Sequence, residues 1–132
     1  MARKDLRKEQ IELLRFEKKI IEAAKEKAAG KPINKAPLLA GVAALTTAGA
    51  SAAEKLNSDA PMQMAADIQA AAGAQAAGDA WLVQLAHVVT NSHNVIQNLA
   101  EQGAFLFFQA GGGTPKKPIK ETVVSLLTNG LF

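Results

Sequence analysis

The longest periodic pattern in the chain lies between Trp81 and Leu106, where uncharged residues recur at alternating steps of four and three. We call these positions the seam: Trp81, Leu85, Val88, Ser92, Val95, Leu99, Gln102 and Leu106. This spacing keeps one face of an α-helix turned toward a packing partner, as in a coiled coil. The seam therefore predicts a long helix within residues 80–109.

A second line of residues runs beside the seam at the same spacing and consists almost entirely of uncharged amides and a histidine. This amide stripe comprises Gln84, His87, Asn91, Asn94, Asn98 and Glu101. A helix face that meets only water normally carries charged residues. Side-chain amides both donate and accept hydrogen bonds, which suits them to a packed contact. We predict that the seam and the amide stripe are both buried once copies of the chain assemble.

The first half of the chain predicts two more helices. Residues 4–29 are amphipathic and highly charged, and they end before Gly30 and Pro32. Residues 36–53 contain no charge and place Ala40, Ala44 and Ala48 four apart, forming a ridge of small side chains on which another helix can pack closely. The same apolar segment is nearly long enough to span a membrane, which needs ~20 residues. Its many small and hydroxyl residues favour a soluble packing helix.

A break and restart follows at Asp59-Ala60-Pro61, because Ser or Asp can cap a helix start and proline suits its first turn. Beyond it, Met64 lies on the apolar face of a further helix. Residues 119–128 fit either a short helix or a strand. The predicted fold is all-α, with elongated helices or a helical hairpin packing into a polymeric assembly. Its segments are a charged helix (1–31), an alanine-rich helix (32–55), a helix–break–helix region (56–110) and a linker with a short apolar end (111–132).

Composition favours self-association. Aromatic residues make up only 5% of the chain, so we expect one isolated copy to bury little apolar surface. Residues 1–35 hold eleven Lys/Arg and six Asp/Glu, whereas residues 56–115 hold four acidic residues and no basic one. Because acidic residues interleave the basic ones, we expect the basic end to meet the acidic middle of another copy, not nucleic acid.

The sequence shows no arrangement of residues that is typical of an enzyme. The chain has no Cys and no Tyr. Neither histidine lies at a sequence spacing from a nucleophile that is typical of a catalytic pair. His87 and His93 lie about 120° apart around a helix, so they cannot share one metal ion. We therefore expect no enzyme activity, no metal and no cofactor. The charged start is not a signal peptide, which predicts a cytoplasmic location.

Several short motifs in residues 56–110 resemble the RebB-like "killing trait" family. They are Asp59-Ala60-Pro61, Met64-Ala65, Gln69, Gly78-Asp79-Ala80, the His87–Asn94 run, Gln102-Gly103-Ala104 and Leu106-Phe107. The chain departs from the family pattern at Ser92 and His93, where the family carries glutamines, and in its charged first helix.

The resemblance implies a structural subunit of R-bodies. These are insoluble protein ribbons, coiled in the bacterial cytoplasm, that unroll on a trigger such as acid and rupture membranes. Its expected partners are itself and similar Reb-type subunits, with membranes as a target. The alternative is a small membrane-active helical protein, of the holin or pilin kind.

Two groups of residues are expected to serve such an assembly. The predicted interface consists of Ala40, Ala44, Ala48, Met64, Trp81, Leu85, Asn91, Asn94, Asn98, Leu99 and Leu106. The candidates for pH sensing are Asp59, Asp67, Asp79, Glu101, His87 and His93. Acidic residues crowded together hold protons more readily than acidic residues paired with Lys or Arg, so two packings with different neighbours would respond to acid.

Overall fold

Five α-helices form the part of the chain that the computed structural model describes, which is residues 6–74, 78–101 and 118–129. The helices are α1 (Arg7–Ala28), α2 (Lys35–Leu56), α3 (Ala60–Gly73), α4 (Gly78–Glu101) and α5 (Ile119–Asn129). No strand occurs within these ranges. The all-α class is therefore confirmed, and the segment left open between helix and strand forms α5.

The breaks between the first three helices are made by residues with cap and turn chemistry. Gly30 follows α1 with a φ of 88°, a left-handed conformation that glycine adopts without strain. The Asn34 side chain accepts a hydrogen bond of 3.2 Å from the backbone amide two residues on, at the start of α2. Asn57 ends α2 with a φ of 53°, and the Ser58 hydroxyl accepts from the next helix start at 3.3 Å. Of the two predicted caps for α3, Ser58 provides this bond and Asp59 makes none.

The helices contact one another in a ring, in which each helix packs on its sequence neighbours and α5 returns to α1. The link from α4 to α5 is spatial, since residues 102–117 lie outside the described chain. One further contact, between α1 and α4, crosses the ring. As a result, α1 and α4 each touch three other helices and hold the molecule together.

The core lies inside this ring of helices. The largest fully buried side chains come from every helix: Leu6, Phe16, Ile20, Leu38, Ile68, Trp81, Leu82, Leu85, Val89, Val123 and Leu126. Among the described residues, large hydrophobic side chains also remain exposed at Ile11, Leu39, Met62, Val95 and Val124.

The close approach of α2 to its neighbours depends on glycines, not on the alanine ridge. A Cβ on Gly41 would stand 2.6 Å from Phe16 Cδ1 in α1. A Cβ on Gly49 would stand 2.7 Å from Ala65 Cβ and 2.8 Å from the Pro61 carbonyl oxygen in α3. All three distances are shorter than a real Cβ atom allows. The two glycines therefore set the separations of α2 from α1 and from α3.

The side chain of Trp81, at the start of α4, contacts residues of two other helices. Its side chain is 1% exposed, and its indole Nε1 donates a 3.1 Å hydrogen bond to the Ala72 carbonyl near the end of α3. The Lys35 ammonium, at the start of α2, lies 5.1 Å from the ring centroid, within the range of a cation–π contact. One aromatic residue thus joins the start of α4 to the end of α3 and also contacts a side chain from α2.

Candidate functional site

Helix α4 has an inner face and an outer face, and the outer face carries the amide stripe. Trp81, Leu85 and Val89 are buried in the core of the same copy. On the other side, all the stripe residues whose side chains are described are exposed: Gln84, His87, Asn91, Asn94 and Asn98. The seam and the stripe therefore differ: the start of the seam belongs to the fold of one copy, while the stripe remains on its surface.

The outer face of α4 also exposes an apolar residue. Val95, the fifth position of the seam, is 38% exposed and lies one helical turn from both Asn91 and Asn98. The described part of this face is thus a neutral patch of three asparagines around a valine. Leu99 and Leu106 were predicted to lie in the interface. The side chain of Leu99 and all of Leu106 fall outside the described residues, and so does the side chain of Glu101.

An open groove between α4 and α5 continues this outer face toward the start of α4. Its lining residues are Asp79, Ala80, Val83, Gln84, His87, Lys120, Val124, Leu127 and Thr128. Val124, on the α5 side, is 37% exposed. The stripe and the groove together present an extended surface with amides, a histidine and apolar side chains, and with the charged Asp79 and Lys120 in the groove.

The other predicted interface residues lie on α2 and α3. Ala40 is exposed, whereas Ala44 and Ala48 are half-buried, as is Met64 on α3. Ala48 and Met64 come together, because both line one small cavity between α1, α2 and α3. The predicted alanine ridge therefore begins on the exposed surface of α2 at Ala40 and reaches this cavity at Ala48.

The predicted pH-sensing aspartates do not form a cluster within one copy. Asp59, Asp67 and Asp79 are exposed, and Asp59 and Asp67 are eight residues apart, or about 12 Å along a helix. Asp67 accepts a 3.1 Å hydrogen bond from Gln63 Nε2. Any crowding of these acidic residues would have to come from contact between copies, so their role as sensors remains a prediction.

The two histidines have different environments. His87 is exposed on the amide stripe, whereas His93 is 6% exposed. His93 Nδ1 lies 2.7 Å from Glu17 Oε2, and both side chains are buried at the contact of α1 with α4. The sequence signal for this pair is that Gln10 and Glu17 fall on the apolar face of α1, in the series Leu6, Gln10, Leu13, Glu17, Ile20 and Ala24. Polar residues in such a series need partners inside the fold.

Glu9 forms a second polar contact, between α1 and the end of α2. Lys55 Nζ and the Ser51 hydroxyl donate to Glu9 Oε1 at 2.6 Å and 2.8 Å. Burial acts to raise the pKa of Glu9, but the hydrogen bonds from Lys55 and Ser51 and the charge of Lys55 outweigh it, so the pKa is lowered. Glu9 is therefore ionised at neutral pH.

Nothing in the described chain has the arrangement of a metal centre, since no three of its His, Asp and Glu residues are grouped to hold an ion. Helix α2 is the one described helix long and apolar enough to cross a membrane by length and composition. No protein-family model, curated protein or solved structure matches the chain. The fold and the surface therefore define an all-α protein with an exposed, uncharged amide face.

Proposed function

We propose that this protein is a structural subunit that assembles with copies of itself through the outer face of α4. The observation that carries the proposal is the exposure of the amide stripe. Five consecutive stripe positions, from Gln84 to Asn98, lie outside the core, and none of them is Lys, Arg, Asp or Glu. A surface of this kind is well suited to contact with another protein.

The physical case rests on how amides behave at a contact. Each Asn or Gln side chain offers two N–H donors and a carbonyl acceptor, so a row of them can bond to another helix without a charge having to be desolvated. Charged residues are depleted from the centres of protein interfaces for that reason. Exposed Val95, among the asparagines, adds apolar area to the same contact.

The charge distribution supports contact between different regions of two copies. The exposed aspartates of α3 and α4 lie in a stretch without a basic residue, while most of the basic residues lie between Arg3 and Lys35. Contact between the basic region of one copy and the acidic region of the next would be favourable. With the resemblance to RebB-like proteins, this supports a polymer of the R-body kind, with similar subunits as further partners and acid as its trigger.

The test is to purify the full chain without detergent and examine it by negative-stain electron microscopy and sedimentation. We expect extended polymers that pellet without lipid. A chain that remains a monomer at all concentrations, alone and with its similar subunits, would contradict the proposal.

The second candidate is a membrane-active protein, and the observation that favours it is the length and apolar character of α2. Its Leu38, Val42 and Leu45 are buried within the fold, so membrane insertion would require α2 to leave α1 and α3. Flotation with vesicles of phosphatidylcholine and phosphatidylglycerol separates the candidates. A membrane protein floats with the vesicles, and a polymer subunit pellets.

A further inference from the structure

A small cavity between α1, α2 and α3 contains two buried polar atoms without hydrogen-bond partners among the described residues. They are Glu9 Oε2 and Gln10 Nε2. Both side chains line the cavity, the Glu9 side chain is 9% exposed and Gln10 is 7% exposed. Since buried donors and acceptors are normally paired, this donor and this acceptor indicate a missing partner.

The rest of the cavity is apolar and partly open to the surface. It is lined mainly by aliphatic residues of the three helices, with Ser92 of α4 as a third polar side chain. Its volume is about 40 Å³, whereas a single water needs about 10–15 Å³. The space matches a group of about three heavy atoms.

The chemistry of the two unpaired atoms specifies that group. Glu9 Oε2 belongs to an ionised carboxylate and only accepts hydrogen bonds, while Gln10 Nε2 only donates them. Their complement must therefore donate at one end and accept at the other. A carboxamide does so with three heavy atoms, its N–H pointing to Glu9 and its carbonyl oxygen to Gln10.

We infer that the cavity receives an asparagine or glutamine side chain from the amide stripe of a second copy of this chain. This inference rests on the proposed function and names the surface to which the stripe docks. The half-buried Ala48 and Met64 line the cavity and leave room for the entering side chain.

The stripe of the same copy cannot reach its own cavity. Ser92 lines the cavity from α4, and Asn91, Asn94 and Asn98 point about 100–160° away from Ser92 around the helix axis. The docking and receiving surfaces are therefore different parts of the molecule. Such a head-to-tail contact repeats from copy to copy and forms an open polymer unless its rotation closes a ring.

The decisive variant is Gln10→Met, which keeps the size of the side chain but removes the donor. The unfolding temperature of a single copy should stay the same or rise by a few degrees, because an unpaired buried donor is lost. The concentration at which polymer forms should increase by about tenfold, which corresponds to the loss of one buried hydrogen bond. Ala48→Leu, which places bulk against the entering side chain, should weaken assembly in the same way.

A small-molecule probe checks the chemistry directly. Acetamide should raise the concentration at which the wild-type chain assembles, whereas N,N-dimethylacetamide at equal concentration should have little effect because it has no N–H to give Glu9.

Unchanged assembly of Gln10→Met would overturn the inference and leave water as the occupant. A wild-type chain that never polymerises would remove the proposed function and this inference together. A wild type that polymerises with Gln10→Met unaffected would remove the inference alone.

Discussion

Gly49 shows how a single missing side chain sets the spacing of two helices. It lies in α2 against the start of α3, where an added Cβ would meet Ala65 and the carbonyl oxygen of Pro61. A carbonyl oxygen cannot move without its helix, so the clash would be relieved only by separating α2 from α3. That separation would also widen the cavity lined by Gly49.

We therefore predict that Gly49→Ala destabilises the protein by up to about 2 kcal/mol, the cost of overpacking less the gain in helix propensity. The measurement is the free energy of unfolding in urea. Gly73→Ala is the matched control, because a Cβ there has nothing within 4 Å, and it should be neutral or stabilising by up to about 1 kcal/mol. Equal effects of the two variants would show that α2 and α3 are not in close contact.

Glu9 gives the fold a defined dependence on pH. Its pKa in the folded chain is lowered from the ordinary value of 4.5, since its bonds to Lys55 and Ser51 outweigh the effect of burial. A lowered pKa means that the unfolded chain binds the proton more readily. The stabilisation from Glu9 is therefore complete well above pH 4.5 and is lost as the pH falls through the lowered value.

The check is Glu9→Gln, which removes this titrating group. We predict that the wild type is more stable than Glu9→Gln at pH 7 and that the difference shrinks as the pH falls toward 3. Urea unfolding at several pH values measures it. A difference that stays constant over that range would show that the ionised form of Glu9 does not stabilise the fold.

At the scale of the helices, α1 and α4 are joined by the buried pair of Glu17 and His93. Each side chain needs the other, since removal of one leaves a buried polar group at the contact. We predict that Glu17→Leu and His93→Leu each destabilise the protein by about 1–3 kcal/mol. The double variant should lose much less than the sum, because both polar groups are then gone. Strictly additive losses would show that the two residues do not act as a pair.

The sequence predicted the helices well because their signals are local. The breaks at Gly30 and at Asp59-Ala60-Pro61 follow from backbone and cap chemistry, and the periodicity around Trp81 follows from the shape of a helix. The sequence did not predict which face of α4 packs in the core of one copy and which face remains exposed. Glu17 and His93 are 76 residues apart, and only the three-dimensional arrangement of α1 and α4 brings them together. The glycine contacts of α2 were missed for the same reason, since the four-residue spacing of the alanines was the more visible pattern.

For the whole molecule, the central feature is that the two faces of α4 have different roles. Its inner face completes the core of one copy through Trp81 and Leu85. Its outer face keeps the amide stripe available, and the unpaired atoms of Glu9 and Gln10 provide a matching surface elsewhere. A subunit that folds first and then joins copies head to tail is consistent with this arrangement.

The most direct test of the stripe as the assembly surface is sedimentation velocity on the full chain carrying Asn91→Lys, Asn94→Lys and Asn98→Lys together. All three positions are exposed, so circular dichroism and the unfolding temperature should remain close to those of the wild type. The control is Ala43→Lys, Thr47→Lys and Ala50→Lys on the exposed face of α2, which adds the same charge away from the stripe, the cavity and the acidic region. We predict a monomer for the stripe variant and polymers for both the wild type and the control. Polymers formed by the stripe variant as readily as by the wild type would contradict the account.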